Sequence, residues 1–150
     1  MRAALYIDCD STDAGYVPVI YEEILRMDKL VAGKMFNSNR NDRSFQNVAE
    51  RYRIQDCMHG EYPVSTAMVA LAVEVMADEA AGVADKVYIV TGDSLAVPLL
   101  DKLKLTDMSV VVMGSGNADR VLVESSQRYV YLEVIAGGEC TADIPDKAEI

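Results

Sequence analysis

Two apolar runs in this chain end in carboxylates and small hydroxyl residues. Ala3-Ala4-Leu5-Tyr6-Ile7 leads into Asp8-Cys9-Asp10-Ser11-Thr12-Asp13, and Lys86-Val87-Tyr88-Ile89-Val90 leads into Thr91-Gly92-Asp93-Ser94. A third run, Met108 to Met113, leads into Gly114-Ser115-Gly116-Asn117-Ala118-Asp119. Carboxylates and hydroxyls are hard oxygen ligands, the kind that magnesium takes. Crowded carboxylates repel one another, and a divalent cation relieves that repulsion, bridges to a phosphate oxygen and activates water. Asp8 and Asp93 are the strongest candidates, because each lies at the end of an apolar run. Asp13 reads instead as a helix N-terminal cap, where Asp is favoured.

The elements that must position these residues follow from periodicity. Ala3–Ile7, Leu30–Phe36, Ile54–Met58, Lys86–Val90, Met108–Met113 and Tyr129–Val134 read as strands. Between them, Tyr16–Met27, Phe45–Tyr52, Val64–Ala81, Val97–Lys104 and Arg120–Ser126 read as helices, with Ser44 and Ser65 or Thr66 as candidate caps. Strands alternating with helices predict a three-layer α/β/α fold with a mostly parallel central sheet, of the Rossmann-like kind. In such a sheet ligands bind beyond the carboxyl ends of the strands, where the strand order reverses. The acidic loops fall on that edge. No internal repeat is evident, and residues 135–150 read as an acidic, glycine-containing tail or linker that leads to a further domain if the chain is a fragment.

Composition narrows the function. The chain has 150 residues, 51% of them hydrophobic, with 14 Lys and Arg against 24 Asp and Glu, a formal charge of −10. A small basic protein that coats nucleic acid is excluded, because bulk attraction to phosphate needs the opposite sign. The three cysteines form no CxxC, and with His59 the only histidine neither a disulfide framework nor a thiolate zinc site is expected. No apolar run reaches the roughly 18 residues of a membrane span, no signal peptide is recognisable, and a reducing cytoplasm fits best.

The segments Ala4-Leu5-Tyr6-Ile7-Asp8-Cys9-Asp10 and Val87-Tyr88-Ile89-Val90-Thr91-Gly92-Asp93-Ser94, followed by Val97-Pro98-Leu99-Leu100, resemble the NYN domain. This is the PIN-like family that includes the LabA-type proteins. Val110-Val111-Val112-Met113-Gly114 and Arg128-Tyr129-Val130-Tyr131-Leu132-Glu133 resemble that family's closing strands, so the likeness covers residues 1–134. The resemblance implies a ribonuclease-like site holding magnesium or manganese. It carries Asp8, Asp10 and Asp93 over as metal ligands, with Asp8 and Asp93 catalytic and Ser11, Thr91 and Ser94 in support. The family's first-motif Asn falls on Ser11, the acid at the start of its long helix falls near Ala67, and the second acid and aromatic of its Asp-Ser-Asp-Phe segment fall on Leu95 and Ala96. Glu61, in the loop before the long helix, is a stand-in on the same edge, whereas Glu74, two turns along the helix, reads as solvent-exposed surface.

Two functions stay open on these grounds. One is a Mg- or Mn-dependent endoribonuclease; the other is a catalytically inactive module of the same fold that binds RNA or a protein. Lys34 to Arg53 is the only clearly basic segment, with Arg40, Arg43 and Arg51 as candidate RNA contacts among interleaved amides and rings. The competing expectation there is a solvated face whose arginines pair with nearby acids. Self-association through the apolar helices or the last strand is a further expectation.

Overall fold

The computed structural model describes residues 1–38, 43–58, 62–63 and 65–137. Six consecutive residues of β1 (Arg2–Asp8) are buried, as is the whole of β4 (Lys86–Val90), so these strands lie at the centre, covered on both faces. They are flanked by β2 (Lys29–Phe36) with β3 (Gln55–Asp56) on one side, and by β5 (Ser109–Gly114) with β6 (Tyr129–Tyr131) on the other. The order is β3-β2-β1-β4-β5-β6, and all five pairings are parallel. The chain winds outward in one direction from β1 and in the other from β4. The β1/β4 boundary is therefore where the order reverses.

Alternation along the strands divides the core in two. Ala3, Leu5, Ile7 and Tyr88 pack with Val17, Ile20 and Ile24 of α1 (Val17–Met27) and Phe45 of α2 (Ser44–Tyr52). Ala4, Tyr6, Val87 and Ile89 face Leu71 and Val75 of α3 (Thr66–Ala80), Leu99 and Leu103 of α4 (Val97–Leu103) and Leu122 of α5 (Arg120–Ser125). Three layers result. None of the helices among the described residues is long and apolar enough to cross a membrane.

Several expectations need correction. The last strand stops at Tyr131, and Leu132–Ile135 is a short helix, α6, so Glu133 lies on a helix and not on a strand. The third strand is only Gln55–Asp56. Ser44 is the first residue of α2 rather than its cap, and Ser65 flanks α3 in a left-handed conformation with no capping bond from its side chain. Ile135, the first residue of the expected tail, closes α6, and residues 138–150 lie outside the described residues.

Two largely buried lysines hold acids on the sheet. Lys34 reaches both Glu74 and Asp78, at 2.8 Å from Asp78 Oδ2, and Tyr6 Oη donates to the same Asp78 oxygen at 2.7 Å. Glu74 is thus a partner of Lys34 and not free surface, and Lys34 is withdrawn from the basic segment. On the other face of the sheet, Asp28 accepts from Lys86 Nζ at 2.8 Å and from Tyr88 Oη, beside the Met1 amino group. Burial works to raise the Asp28 pKa, but these donors outweigh it and hold it at about 2.

Gly114, at the end of β5, fixes how closely the central loops approach. A Cβ here would run into the Tyr129 hydroxyl and the Thr91 carbonyl oxygen. Overpacking of this kind costs about 1–3 kcal/mol, more against rigid backbone. Gly114→Ala is expected to lower the urea midpoint by an amount equivalent to at least about 2 kcal/mol with an unchanged m-value. A midpoint equal to wild type refutes the close approach.

Candidate functional site

The two sides of the β1/β4 boundary are built alike. After β1, Asp13 accepts from Gly15 N at 2.8 Å, a 3₁₀ turn spans Ala14–Tyr16, and α1 follows with a proline in its first turn. After β4, Asp93 accepts from Leu95 N at 2.9 Å, a 3₁₀ turn spans Ser94–Ala96, and α4 follows with its own early proline. The backbones match closely, at φ −86°, ψ 132° for Asp13 and φ −94°, ψ 123° for Asp93. The sequence repeats accordingly: Asp13-Ala-Gly-Tyr-Val-Pro-Val-Ile against Asp93-Ser-Leu-Ala-Val-Pro-Leu-Leu. The likeness is confined to this turn and the helix entry that follows it. It is the Asp-x-x-x-Val-Pro signal that a reading of single motifs passes over. The side chain of Asp explains both turns, since it satisfies a helix-entry N–H that the backbone leaves open.

Asp8 joins the two loops. Its side chain lies in a residue only 2% exposed. Oδ1 accepts from Asp10 N at 3.1 Å, and Oδ2 accepts from Ser11 Oγ and Thr91 Oγ1, both at 2.8 Å. The hydroxyls also accept: Gly92 N donates to Ser11 Oγ and Asp93 N donates to Thr91 Oγ1, each at 3.0 Å. Ser11 and Thr91 therefore link Asp8 to the backbone of the β4 loop. Ser94 opens the 3₁₀ turn beside them.

Asp10 is exposed and accepts from Asn37 Nδ2 at 2.8 Å, while Asp93 spends one oxygen on its own turn. The structure thus brings Asp8, Asp10 and Asp93 to one edge but gives each a different hydrogen-bonding task. Among the described residues no three His, Cys, Asp or Glu side chains converge on a point where a metal ion could be held. Ala67 is 0% exposed in the first turn of α3 and offers no ligand, and Leu95 is 52% exposed on the rim. Glu61, Arg40 and His59 lie outside the described residues. Arg43 precedes α2 and Arg51 lies over the Tyr52 ring at 5.4 Å; both are exposed, on the β2/β3 side.

Carboxylate and hydroxyl oxygens are the donor types a hard cation takes, and the partners of Asp8 differ from those of the acids held by lysine. Asp28, Glu74 and Asp78 each hold a lysine, whereas Asp8 accepts from two hydroxyls and an amide. Burial raises the Asp8 pKa, the hydrogen bonds from Ser11, Thr91 and the Asp10 amide pull it down, and the Asp10 charge adds to the rise. Two further groups shape the same edge. Glu133 accepts from Gly116 N at 3.0 Å and from Ser115 Oγ at 3.1 Å, closing the turn after β5. Asn37 holds Asp10; its amide had no signature in the sequence beyond a polar stretch.

A raised carboxyl pKa means that the folded chain binds the proton more tightly than the unfolded one. Ionised Asp8 therefore costs stability at neutral pH, and that cost fades as the pH falls through the folded-state pKa. Asp8→Asn is expected to raise the thermal midpoint at pH 7, with the hydroxyls of Ser11 and Thr91 turning to accept from the new amide. The gain should shrink steadily on acidification. A lower midpoint at pH 7 shows that the charge is compensated within the chain.

Comparisons with known proteins agree with this architecture. No curated protein matches the chain. Among solved structures, VPA0982 of Vibrio parahaemolyticus, a protein of unknown function, superposes with a TM-score of 0.70 at 15% identity, over 95% of this chain and 94% of that one. At that identity the likeness speaks for the fold alone. The model of the NYN domain matches residues 2–133, from the first residue of β1 to the glutamate that closes the β5 turn. The chain belongs to the NYN domain family, a PIN-like family of the nuclease type.

Proposed function

We propose that this chain hydrolyses phosphodiester bonds of RNA in the cytoplasm with a divalent cation, magnesium or manganese, at the crevice between β1 and β4. The observation that supports it is Asp8, a buried carboxylate that among the described residues accepts from hydroxyls and an amide and from no lysine or arginine, beside the β1/β4 boundary. Asp8, Asp10 and Asp93 would hold the cation, whose chemistry is to neutralise phosphate charge and to lower the pKa of bound water. Asp8 also keeps the two loops in register through Ser11 and Thr91. Asp93 keeps its second oxygen for the crevice. Arg43 and Arg51 on the β2/β3 flank are the contacts proposed for the RNA backbone; Arg40 and Glu61 lie outside the described residues.

A second reading has its own observation. Ala67 and Leu95 stand where the family pattern places acids, and neither can ligate a cation. A crevice short of two carboxylates fits a module that binds RNA, or a protein, without cutting it.

Manganese calorimetry paired with cleavage of single-stranded RNA separates the two. Asp93→Asn is the control, because its amide oxygen still accepts from Leu95 N while the charge is lost. The nuclease reading expects cation binding that weakens at least about tenfold in the variant, as one charged ligand is worth well over 1.4 kcal/mol, and cleavage that falls with it. Cleavage unchanged in Asp93→Asn, or no manganese binding, sinks it. RNA binding without cleavage selects the second reading.

A further inference from the structure

α3 carries no charge from Thr66 to Val73, and its apolar residues run round the helix rather than along one stripe. Leu71 and Val75 are buried against the sheet. On the far side Val69 and Val73 are 64% and 65% exposed, and Ala77 is exposed one turn further on. A helix that is apolar all round is normally covered all round. Glu74 and Asp78 face β2, where Lys34 holds both. Among the described residues, the outward side of α3 from Val69 to Ala77 thus presents no unpaired charge, in a chain of charge −10.

The strand beneath this flank is open as well. β3 pairs only with Lys34 and Met35 of β2, so among the described residues no strand lies beside residues 29–32 on that edge. The register with β1 shifts there, pairing Leu30 with Ala3 and Ala32 with Ala4, which leaves Val31 without a partner on β1 and 39% exposed. Met35 O accepts from Cys57 N on the β3 side, and Phe36 O accepts from Cys9 N on the β1 side. Alternation back from Met35 through Gly33 turns the Val31 N–H to the open edge. Such an edge is a template for one more strand.

We propose that β2 and α3 form the interface of a homodimer, with the two copies of β2 antiparallel about a two-fold axis normal to the sheet. Both open features close in this one operation. Paired strands lie about 4.8 Å apart. α3 covers β1 and β2, so the axes of α3 and its copy come about two strand spacings apart, roughly 10 Å, the distance at which helices pack. Val73 and Ala77 then lie between the two helices. Charge decides the occupant. This flank offers nothing to a charged partner, and two acidic copies repel least where neither presents an unpaired acid. Self-association is thereby placed on β2 and α3 rather than on the last strand.

Sedimentation velocity of the full chain over a concentration series tests this. The wild type is expected to pass from monomer to dimer as concentration rises. Val73→Glu leaves the core untouched, sets like charges across the axis and is expected to weaken the dimer at least about tenfold. Val31→Lys is expected to weaken it likewise at the strand edge. Leu105→Glu adds the same charge as Val73→Glu at a residue 80% exposed in the turn after α4, and is expected to leave the dimer as it is. In hydrogen exchange, the Val31 amide should be slower at concentrations where the dimer forms. A wild type that stays monomeric, a dimer indifferent to Val73→Glu or to Val31→Lys, equal weakening by Leu105→Glu, or Val31 exchange that ignores concentration each overturns the inference.

Discussion

The edge of the sheet that carries the candidate site depends on one buried carboxylate holding two loops. The loops after β1 and β4 come from strands that neighbour each other in space but are separated by about half the chain. Nothing in local backbone geometry sets one loop against the other. Asp8 does so by accepting from Ser11 on its own loop and Thr91 on the other, and these hydroxyls pass the order on to Gly92 N and Asp93 N. A buried polar network of this kind is rigid only while every member is satisfied. Gly114 completes it from below, since Thr91 can stay close to β5 only where no side chain intervenes.

The same carboxylate explains how a chain of charge −10 divides its acids. Asp78 and Glu74 are neutralised by Lys34 and Asp28 by Lys86, while the half-buried Glu133 accepts from Ser115 Oγ and Gly116 N. Those pairs tie α3 and the N-terminal edge to the sheet. Asp8 is left with neutral donors, which order a carboxylate but do not cancel its charge. The ionised form of Asp8 therefore costs stability that its hydrogen bonds only partly offset.

Much of this was legible in the sequence, and the exceptions share a physical cause. The strands β1, β4 and β5 are continuous apolar runs because parallel strands at the centre are covered on both faces, and such runs are read without ambiguity. β3 is two residues long at the edge, and β6 gives way to α6 at Leu132, where Leu-Glu-Val-Ile carries no pattern that separates strand from a single helical turn. Gly33 weakens β2 as a strand on propensity, yet the Tyr21 hydroxyl occupies the space a Cβ would need. In the site, Asp8 and its hydroxyl partners follow from residue type and strand position. The Asn37–Asp10 bond does not, because it joins residues from two loops and needs a left-handed backbone that Asn only tolerates.

The likeness of the two turns changes what each aspartate can be taken to mean. Asp13 and Asp93 cap equivalent 3₁₀ turns with the same backbone and the same hydrogen bond, so the turn alone is sufficient reason for an acid at either position. An aspartate in Thr-Gly-Asp-Ser is then weak evidence for a metal ligand by itself. What separates Asp93 from Asp13 is its neighbourhood: its backbone N–H bonds to Thr91 Oγ1, and Thr91 bonds to Asp8. Asp8 caps no helix and neutralises no lysine, so its burial has no structural return beyond the loop contacts, which an uncharged Asn could largely reproduce. The case for a charged ligand in the crevice therefore rests on Asp8, with Asp93 as the residue that its network holds in place.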